Sequence, residues 1–367
     1  MRSFRLVALL ALAAAPLAAQ GNALYPESSA ATGVQFRSYH FGAGAQYADI
    51  SQFAIPIAVM LPVNKRLAVD IGTYYASTSA TLGAGGKQTL SGLTDVQVRG
   101  AYVFGGNSMV ASLVLNLPTG VKFDTAQAAA AGASASNWLL FPVNSFANGF
   151  SATGGLAATT HTGQWNLGAA VSGRVNSSYQ PVKDLSSTSY KPGIEGRLRL
   201  GADRLVGQAR LTFGLTFSTF GDDTFGSGFG GPTSYRPGNR FIGEASYTLP
   251  GLGGMITAYA WDFLRASGKD TASAANRENI FTAGASHRIP LSRTASLESI
   301  VEGRFLSQQS GGSGALVGIG TGLRMQLNER FSLVPAVRGD FGSAKFPTGG
   351  SANVTGFSAS ALLRYNF

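Results

Sequence analysis

The segment Gln208–Phe220, QARLTFGLTFSTF, alternates strictly. Ala209, Leu211, Phe213, Leu215 and Phe217 share one face of an extended chain; Gln208, Arg210, Thr212, Gly214, Thr216 and Ser218 share the other. A period of two residues is the signature of a β-strand with two different surroundings. The same two-sided pattern recurs in DVQVRGAYVF (95–104), GIEGRLRL (193–200), SLESIVEGRF (296–305), GIGTGLRMQL (318–327), FSLVPAVRGDF (331–341) and SASALLRYNF (358–367). Segmenting the chain on this basis gives about sixteen strands, with fourteen possible, each of roughly 9–14 residues, the length a tilted strand needs to cross a bilayer. The first hairpin is placed at Ala31–Leu61. No amphipathic helical period is sustained; DTAQAAAAGASAS (124–136) is helix-like and falls inside a long loop.

The connections alternate as well. Short joints (VNKR, GGNS, HTGQ, GLGG, LSRT, LNER) take turns with longer stretches at Leu82–Ser91, Pro118–Asn148, Ser177–Lys191, Gly221–Gly238 and Gly342–Asn353. Short turns at one end and long loops at the other are the asymmetry of an outer-membrane barrel. A soluble β-sandwich has the same period, so other features must separate the two. Arg2 and Arg5 precede LVALLALAAAPLAA, an apolar run too short to span a bilayer and ending in small residues, the pattern of a secretory signal cut after Ala19. There is no cysteine, which excludes a disulfide framework in an exported chain. All lysines (Lys65, Lys87, Lys122, Lys183, Lys191, Lys269, Lys345) fall in loops, turns or strand edges, whereas a water-facing sandwich would scatter them over its strands. The final strand ends on Tyr365 and Phe367, with Leu363 on the same face. In lipid a last strand must pair with the first, because an open edge leaves backbone groups unsatisfied.

The expected fold is therefore all-β: a transmembrane antiparallel up-and-down β-barrel of the outer-membrane type. The expected organisation is a signal peptide at 1–19, a short periplasmic segment at 20–30 and one barrel domain at 31–367. The expected location is the outer membrane of a Gram-negative-type bacterium, reached through the Sec route. The expected partners are outer-membrane lipid, the barrel-assembly machinery, for which Phe367, Tyr365 and Leu363 would be the signal, and a small-molecule solute.

If the apolar face meets lipid, the polar face lines the lumen. Register points Arg37, Arg99, Arg174, Arg197, Arg199, Arg210, Arg240, Arg288, Arg304, Arg324, Arg338 and Arg364 inward, with Asp70, Asp95, Glu195, Glu244, Glu298, Glu302 and Asp340. Arginine suits such an interior, since its planar fork binds carboxylates bidentately and keeps its charge. One reading is a lattice that braces the wall; the other is an electropositive constriction that favours anions. The constriction candidates are Arg99, Arg197, Arg199, Arg210, Arg304, Arg324, Glu195, Glu298 and Glu302. Tyr39 and Tyr74 also point inward, while most phenylalanines point out.

Catalytic constellations are weak. His161 falls in a short turn, His287 shares the apolar face and His40 lies near the first loop, so no Ser/His pair for acyl transfer emerges. Asp222 and Asp223 lack the alternating oxygens of a calcium loop and read as solvated charges. GIGTG (318–322) lies within a strand with no helix after it, so its glycines leave room for bulky neighbours and hold no phosphate. The net charge of +10 is spread along strands and not gathered on one element, which argues against nucleic acid. Neither a cofactor nor a metal is implied, and the chain does not read as an enzyme.

One hairpin goes further. SGLTDVQVRGAYVFGGNSMVASLVLNLPTG (91–120), with Gly92 and Asp95 at the strand start and Leu117–Gly120 as Leu-Pro-Thr-Gly at its end, resembles outer-membrane proteins of the FadL-like superfamily. The similarity is greatest to the branch associated with meta-pathway phenol degradation. The resemblance covers about thirty residues and implies passive uptake of small hydrophobic or aromatic compounds through a channel obstructed along its axis. The first strand begins too soon for the N-terminal plug of the fatty-acid transporters, so an obstruction would come from a loop. Pro118–Asn148 is the candidate, since Trp138, Leu139, Leu140 and Phe141 make it unusually apolar; the alternative is that they extend the wall above the membrane. An open general porin with a basic lumen, and a structural or adhesive barrel that transports nothing, are the competing functional classes.

Overall fold

Alternation on this scale demands that every strand find two neighbours. In the computed structural model, which describes residues 28–367 apart from 186, 230–232, 271–276 and 347–349, they do. The strands are β1 (Ser29–Phe41), β2 (Tyr47–Pro62), β3 (Leu67–Leu82), β4 (Lys87–Leu93 and Val96–Phe104), β5 (Met109–Leu117), β6 (Ser151–Thr162), β7 (Trp165–Asn176) and β8 (Glu195–Val206). They continue as β9 (Ala209–Phe220), β10 (Arg240–Gly251), β11 (Gly254–Arg265), β12 (Glu278–Pro290), β13 (Ala295–Gln308), β14 (Ser313–Gln326), β15 (Phe331–Lys345) and β16 (Ser351–Asn366). Each pairs antiparallel with the next, and β16 pairs with β1 from Ser29↔Asn366 to Phe41↔Val354, closing a 16-strand barrel. Closure removes every edge, and Phe367 extends it by donating its N–H to Ser28 O at 2.9 Å.

Several expected boundaries move. The barrel begins at Ser29, two residues before Ala31, and the signal segment at 1–19 lies outside the described residues. Leu82–Ser91 is no long loop: β3 runs to Leu82 and β4 resumes at Lys87 after a tight turn closed by Leu82 N–H to Gly86 O. Gly342–Asn353 likewise shrinks, because β15 and β16 pair out to Lys345↔Ser351. Both stretches pair as strands, out to Thr81↔Lys87 and Lys345↔Ser351, but glycine and small polar residues disguise their alternation. The helix-like patch is a 3-10 turn at Thr125–Gln127 followed by a short α-helix, α1 (Ala128–Ser134).

The outer face carries a continuous apolar belt, with Val34, Ile71, Leu113, Leu156, Val171, Leu215, Val301, Ile319, Val337 and Phe357 all exposed. So much exposed aliphatic surface is stable only under another apolar phase. Aromatic residues collect at the short-turn end. Phe331 and Tyr365 stack at 4.6 Å, Tyr365 and Phe367 at 5.7 Å, and Arg204 lies over Trp165. Such a girdle suits a membrane–water boundary, where an apolar ring carries a polar tip. At the opposite end, parts of three loops form a small antiparallel sheet from Tyr190–Lys191, Asp223–Phe225, Ser234–Arg236 and Lys269–Asp270.

Candidate functional site: the lumen and its inward loop

The loop 118–150 begins where β4 is interrupted. Thr94 and Asp95 break the strand, and the Asp95 carboxylate gathers three donors: Gly120 N–H at 2.7 Å, Asn148 N–H at 2.6 Å and the Asn116 side-chain amide at 2.8 Å. Both ends of the loop are thus tied to one buried side chain. This gives the resembling hairpin a physical content, because Asp95 and the Gly120 of Leu-Pro-Thr-Gly are partners. Charge-assisted bonds from backbone N–H groups are among the stronger hydrogen bonds.

From that base the loop turns into the barrel. Ala130, Ala133, Trp138, Leu139, Phe141, Val143 and Phe146 are buried against inward residues Tyr39, Ile50, Ala54, Ala76, Ala80, Leu90, Ile280, Leu316 and Val354. Of the apolar loop residues singled out by sequence, Trp138, Leu139 and Phe141 lie in this core, and Leu140 is exposed with φ of 53°. The core of the molecule is therefore the contact between this loop and one side of the inner wall. Gly314 is what admits Trp138, since a Cβ there would sit 2.5 Å from the indole.

Polar groups on the wall hold the loop backbone. Arg304 donates to Trp138 O at 2.7 Å; Arg37 donates to Leu139 O at 3.1 Å and also to Leu140 O. Tyr39 Oη lies 3.0 Å from Leu139 O and 3.3 Å from Asp340 Oδ2, and its one proton serves either. Three consecutive carbonyls are thus met by donors. Further along, the fully buried Gln52 amide pairs with Val143 in both senses, accepting its N–H at 2.8 Å and donating to its carbonyl at 2.7 Å.

The arginines that do this are themselves held. Glu302 Oε1 accepts from Arg304 and Arg338, each at 2.9 Å, and Glu302 Oε2 from Tyr259 Oη at 2.8 Å; Arg338 also bonds Asp340 at 2.8 Å. Removing one partner of a buried ionic cluster of this kind costs about 3–5 kcal/mol, because the survivor is left uncompensated. Gly318 makes room for it: a Cβ there would meet the Arg338 guanidinium at 2.0 Å. Gly320 likewise faces Arg338 and Ile300, as expected for glycines that leave room for bulky neighbours, whereas Gly322 faces the small Ala336.

The remaining inward charges pair across the free wall. Arg197 bridges Glu195 at 2.7 Å, Arg199 bridges Glu244 at 3.1 Å and Arg288 bridges Glu298 at 2.9 Å; Arg99 pairs with Asp70. Arg210 pairs with Asp203 at 3.1 Å and Arg265 with Glu278 at 3.1 Å. Asp203, Arg265 and Glu278 had escaped the sequence reading, yet counting by twos from Arg199 reaches Asp203, so that signal was available. Arg174, Arg240, Arg324 and Arg364 have no carboxylate in salt-bridge contact among the described residues. Arg240 lies instead over Phe220 at 5.2 Å and Phe263 at 5.6 Å. Inward aromatics are thus more numerous than Tyr39 and Tyr74, and Phe220, Tyr259, Trp261 and Phe263 join them.

Two loop expectations are corrected. Asp223 is buried, not solvated: it accepts Tyr190 Oη and Gly193 N–H, each at 2.7 Å, while Asp222 forms a two-point pair with Arg236. Burial and the Asp223 charge push the Tyr190 hydroxyl up, and burial beside Asp95 and Asp223 raises that of Tyr179 to about 12. His161 belongs to the end of β6, where it bonds Asn166; His40 bonds Asp49, and His287 keeps to the outer face.

No family model matches the chain, and no curated protein matches it. Among solved structures it is similar to an outer membrane protein of Vibrio cholerae, OmpT with loop L8 deleted, at 10% identity and TM-score 0.42 over 93% of this chain and 100% of that one. It is similar to an anion-selective porin from Comamonas acidovorans at 12% identity and TM-score 0.42, over 93% and 98%. A FadL homologue of Pseudomonas aeruginosa gives 8% identity and TM-score 0.46, over 93% and 90%.

Proposed function

We propose that the protein is an outer-membrane channel for passive passage of small solutes, narrowed from within by the loop 118–150. The observation that supports it is the set of donors from Arg304, Tyr39 and Arg37 fixed on the carbonyls of Trp138, Leu139 and Leu140 inside the barrel. A barrel of this strand number is wide enough for water unless something occupies it. In this reading the short-turn end is periplasmic, the aromatic girdle marks the inner boundary of the outer membrane, and the long loops face outward.

The solute class we infer is small and hydrophobic or aromatic. Its support is the hairpin's resemblance to the FadL-like superfamily and the inward aromatics Phe220, Tyr259, Trp261 and Phe263, of which Trp261 and Phe263 pack against the loop's core. The phenol-degradation branch rests on that hairpin alone. A second reading, an arginine-lined porin for charged solutes, is favoured by the inward cations without carboxylate partners. Single-channel conductance of the folded protein in a planar bilayer decides between an occupied and an open lumen. Low or absent current that becomes large and steady on deletion of 137–146 is the expected result. Equal, large currents with and without those residues would overturn the plug. Silence of both proteins, with folding shown by heat-dependent gel mobility, would point to a barrel that does not transport.

A further inference from the structure

The charges of the lumen are sorted by depth. Toward the long loops, the inward ions are spent on the loop and on one another: Arg37 and Arg304 on its carbonyls, Arg338 on Glu302 and Asp340, Arg197 on Glu195 and Arg265 on Glu278. Toward the short turns the balance changes. Arg99, Arg210, Arg288, Arg324 and Arg364 point inward there, each near the short-turn end of its strand, against Asp70, Asp203 and Glu298. Each of those carboxylates is already bridged, to Arg99, Arg210 and Arg288 in turn.

Arg324 and Arg364 are left over. They stand on β14 and β16 with the short inward side chains of β15, Ser332 and Val334, between them. Arg324 is half-buried, its Nε has no partner, and it is in electrostatic reach of Arg288 and Arg364 as well as Glu298. Arg364 spends its Nε on the neutral Asn366 side chain. Guanidinium groups in this state are poorly neutralised by the protein and must draw charge from the solution. The turns around that mouth add to the same field, with Lys65, Arg66, Arg293 and Arg330 exposed against Glu329.

We infer that the short-turn third of the lumen is an anion filter, in which Arg324 and Arg364, backed by Arg288, admit small anions such as chloride or carboxylates and turn cations back. The inference rests on the channel reading but is separable from the plug, because none of these residues contacts the loop 118–150 in a hydrogen bond or ion pair among the described residues. A low-dielectric wall focuses such a field across the opening, which is how a ring of like charges selects ions.

The test is the reversal potential across a planar bilayer in a potassium chloride gradient. It is measured on the full chain and on the variant lacking 137–146, whose current is larger if the loop is a plug. Chloride is expected to permeate severalfold better than potassium in whichever protein conducts. Arg324→Ser with Arg364→Ser should bring the ratio to unity or below, and Glu298→Gln should raise it. Lys191→Ser with Lys345→Ser removes the same formal charge from the long-loop end and should leave the ratio unchanged. A double arginine variant that folds, by heat-dependent mobility, and keeps the parental ratio would overturn the filter. Cation preference in the parent protein would do so too, as would silence of both proteins, since a filter needs an ion path. Large currents unaffected by the loop deletion would sink the plug and leave the filter standing.

Discussion

At the scale of single residues, small side chains on the inner wall decide where large ones fit. Gly314 faces Trp138 and Gly318 faces Arg338, each so closely that a methyl group would collide. In Gly314→Val the indole has to leave its seat, an overpacking that costs typically about 1–3 kcal/mol. The expected outcome is a loop that detaches more often, read as greater acrylamide quenching of Trp138 in a background where Trp165 and Trp261 are phenylalanine. Quenching identical to the parent's would show that Trp138 is not held by that wall. The inward face of GIGTG was legible because alternation assigns a face without any structure. The partner was not, since nothing in a one-dimensional pattern says that Gly318 makes room for Arg338 of the neighbouring strand, or that Gly314 seats a tryptophan from a distant loop.

At the scale of elements, strands were far more legible than loops. Strand spacing repeats and its register is fixed by one face meeting lipid, so a count by twos places nearly every inward arginine. Loops carry no period. Asp95 reads as one more inward carboxylate, yet its work is to tie Gly120 to Asn148, which a sequence offers no means of pairing. Asp223 was misread for the same reason. The inward loop is further tied to the neighbouring loop 177–194: Thr125 donates from its backbone and its hydroxyl to Asp184, the latter at 2.6 Å, and Lys183 bridges Asp124 at 3.2 Å. The hydroxyl bond is the main reason that the Asp184 carboxyl lies below its ordinary value. A carboxyl depressed by folding binds fewer protons in the folded state. Its contribution is complete above the unfolded value, about 3.9, and is lost as the pH falls through the lower folded value. The tether is therefore expected to hold at neutral pH and to slacken only in strong acid. Pepsin cleavage within 125–136 should accelerate below about pH 4 relative to Asp184→Asn, which lacks the titrating group. A constant ratio between the two proteins across that range would remove Asp184 from the tether.

At the scale of the whole molecule, stability comes from closure together with a one-sided apolar core, where the inward loop packs on the inner wall. Away from that contact the usual burial is inverted: aliphatic side chains face outward to lipid, while arginine, glutamate and tyrosine occupy the inside. What the interior lacks in hydrophobic contact it makes up in backbone pairing that runs round the barrel without an edge. The seam between β1 and β16 is where that continuity is most exposed to damage. There Tyr365 stacks between Phe331 and Phe367, and the Asn366 and Phe367 N–H groups bond Arg330 O and Ser28 O, each at 2.9 Å. Removing 365–367 strips the stack and leaves Ser29 and Ala30 without their partners. In hydrocarbon each unsatisfied backbone group costs several kcal/mol; at the interface, where these residues lie, water softens the loss. The truncated barrel is thus expected to refold in detergent with the mobility shift of a closed barrel and a lowered melting temperature. Its delivery to the outer membrane of a cell is expected to fall much further, since Phe367, Tyr365 and Leu363 would also be what the assembly machinery reads. Phe367→Ser alone separates the effects, because it keeps every backbone bond and changes only the aromatic terminus. Normal membrane levels of that variant would leave the aromatic end a matter of seam packing alone.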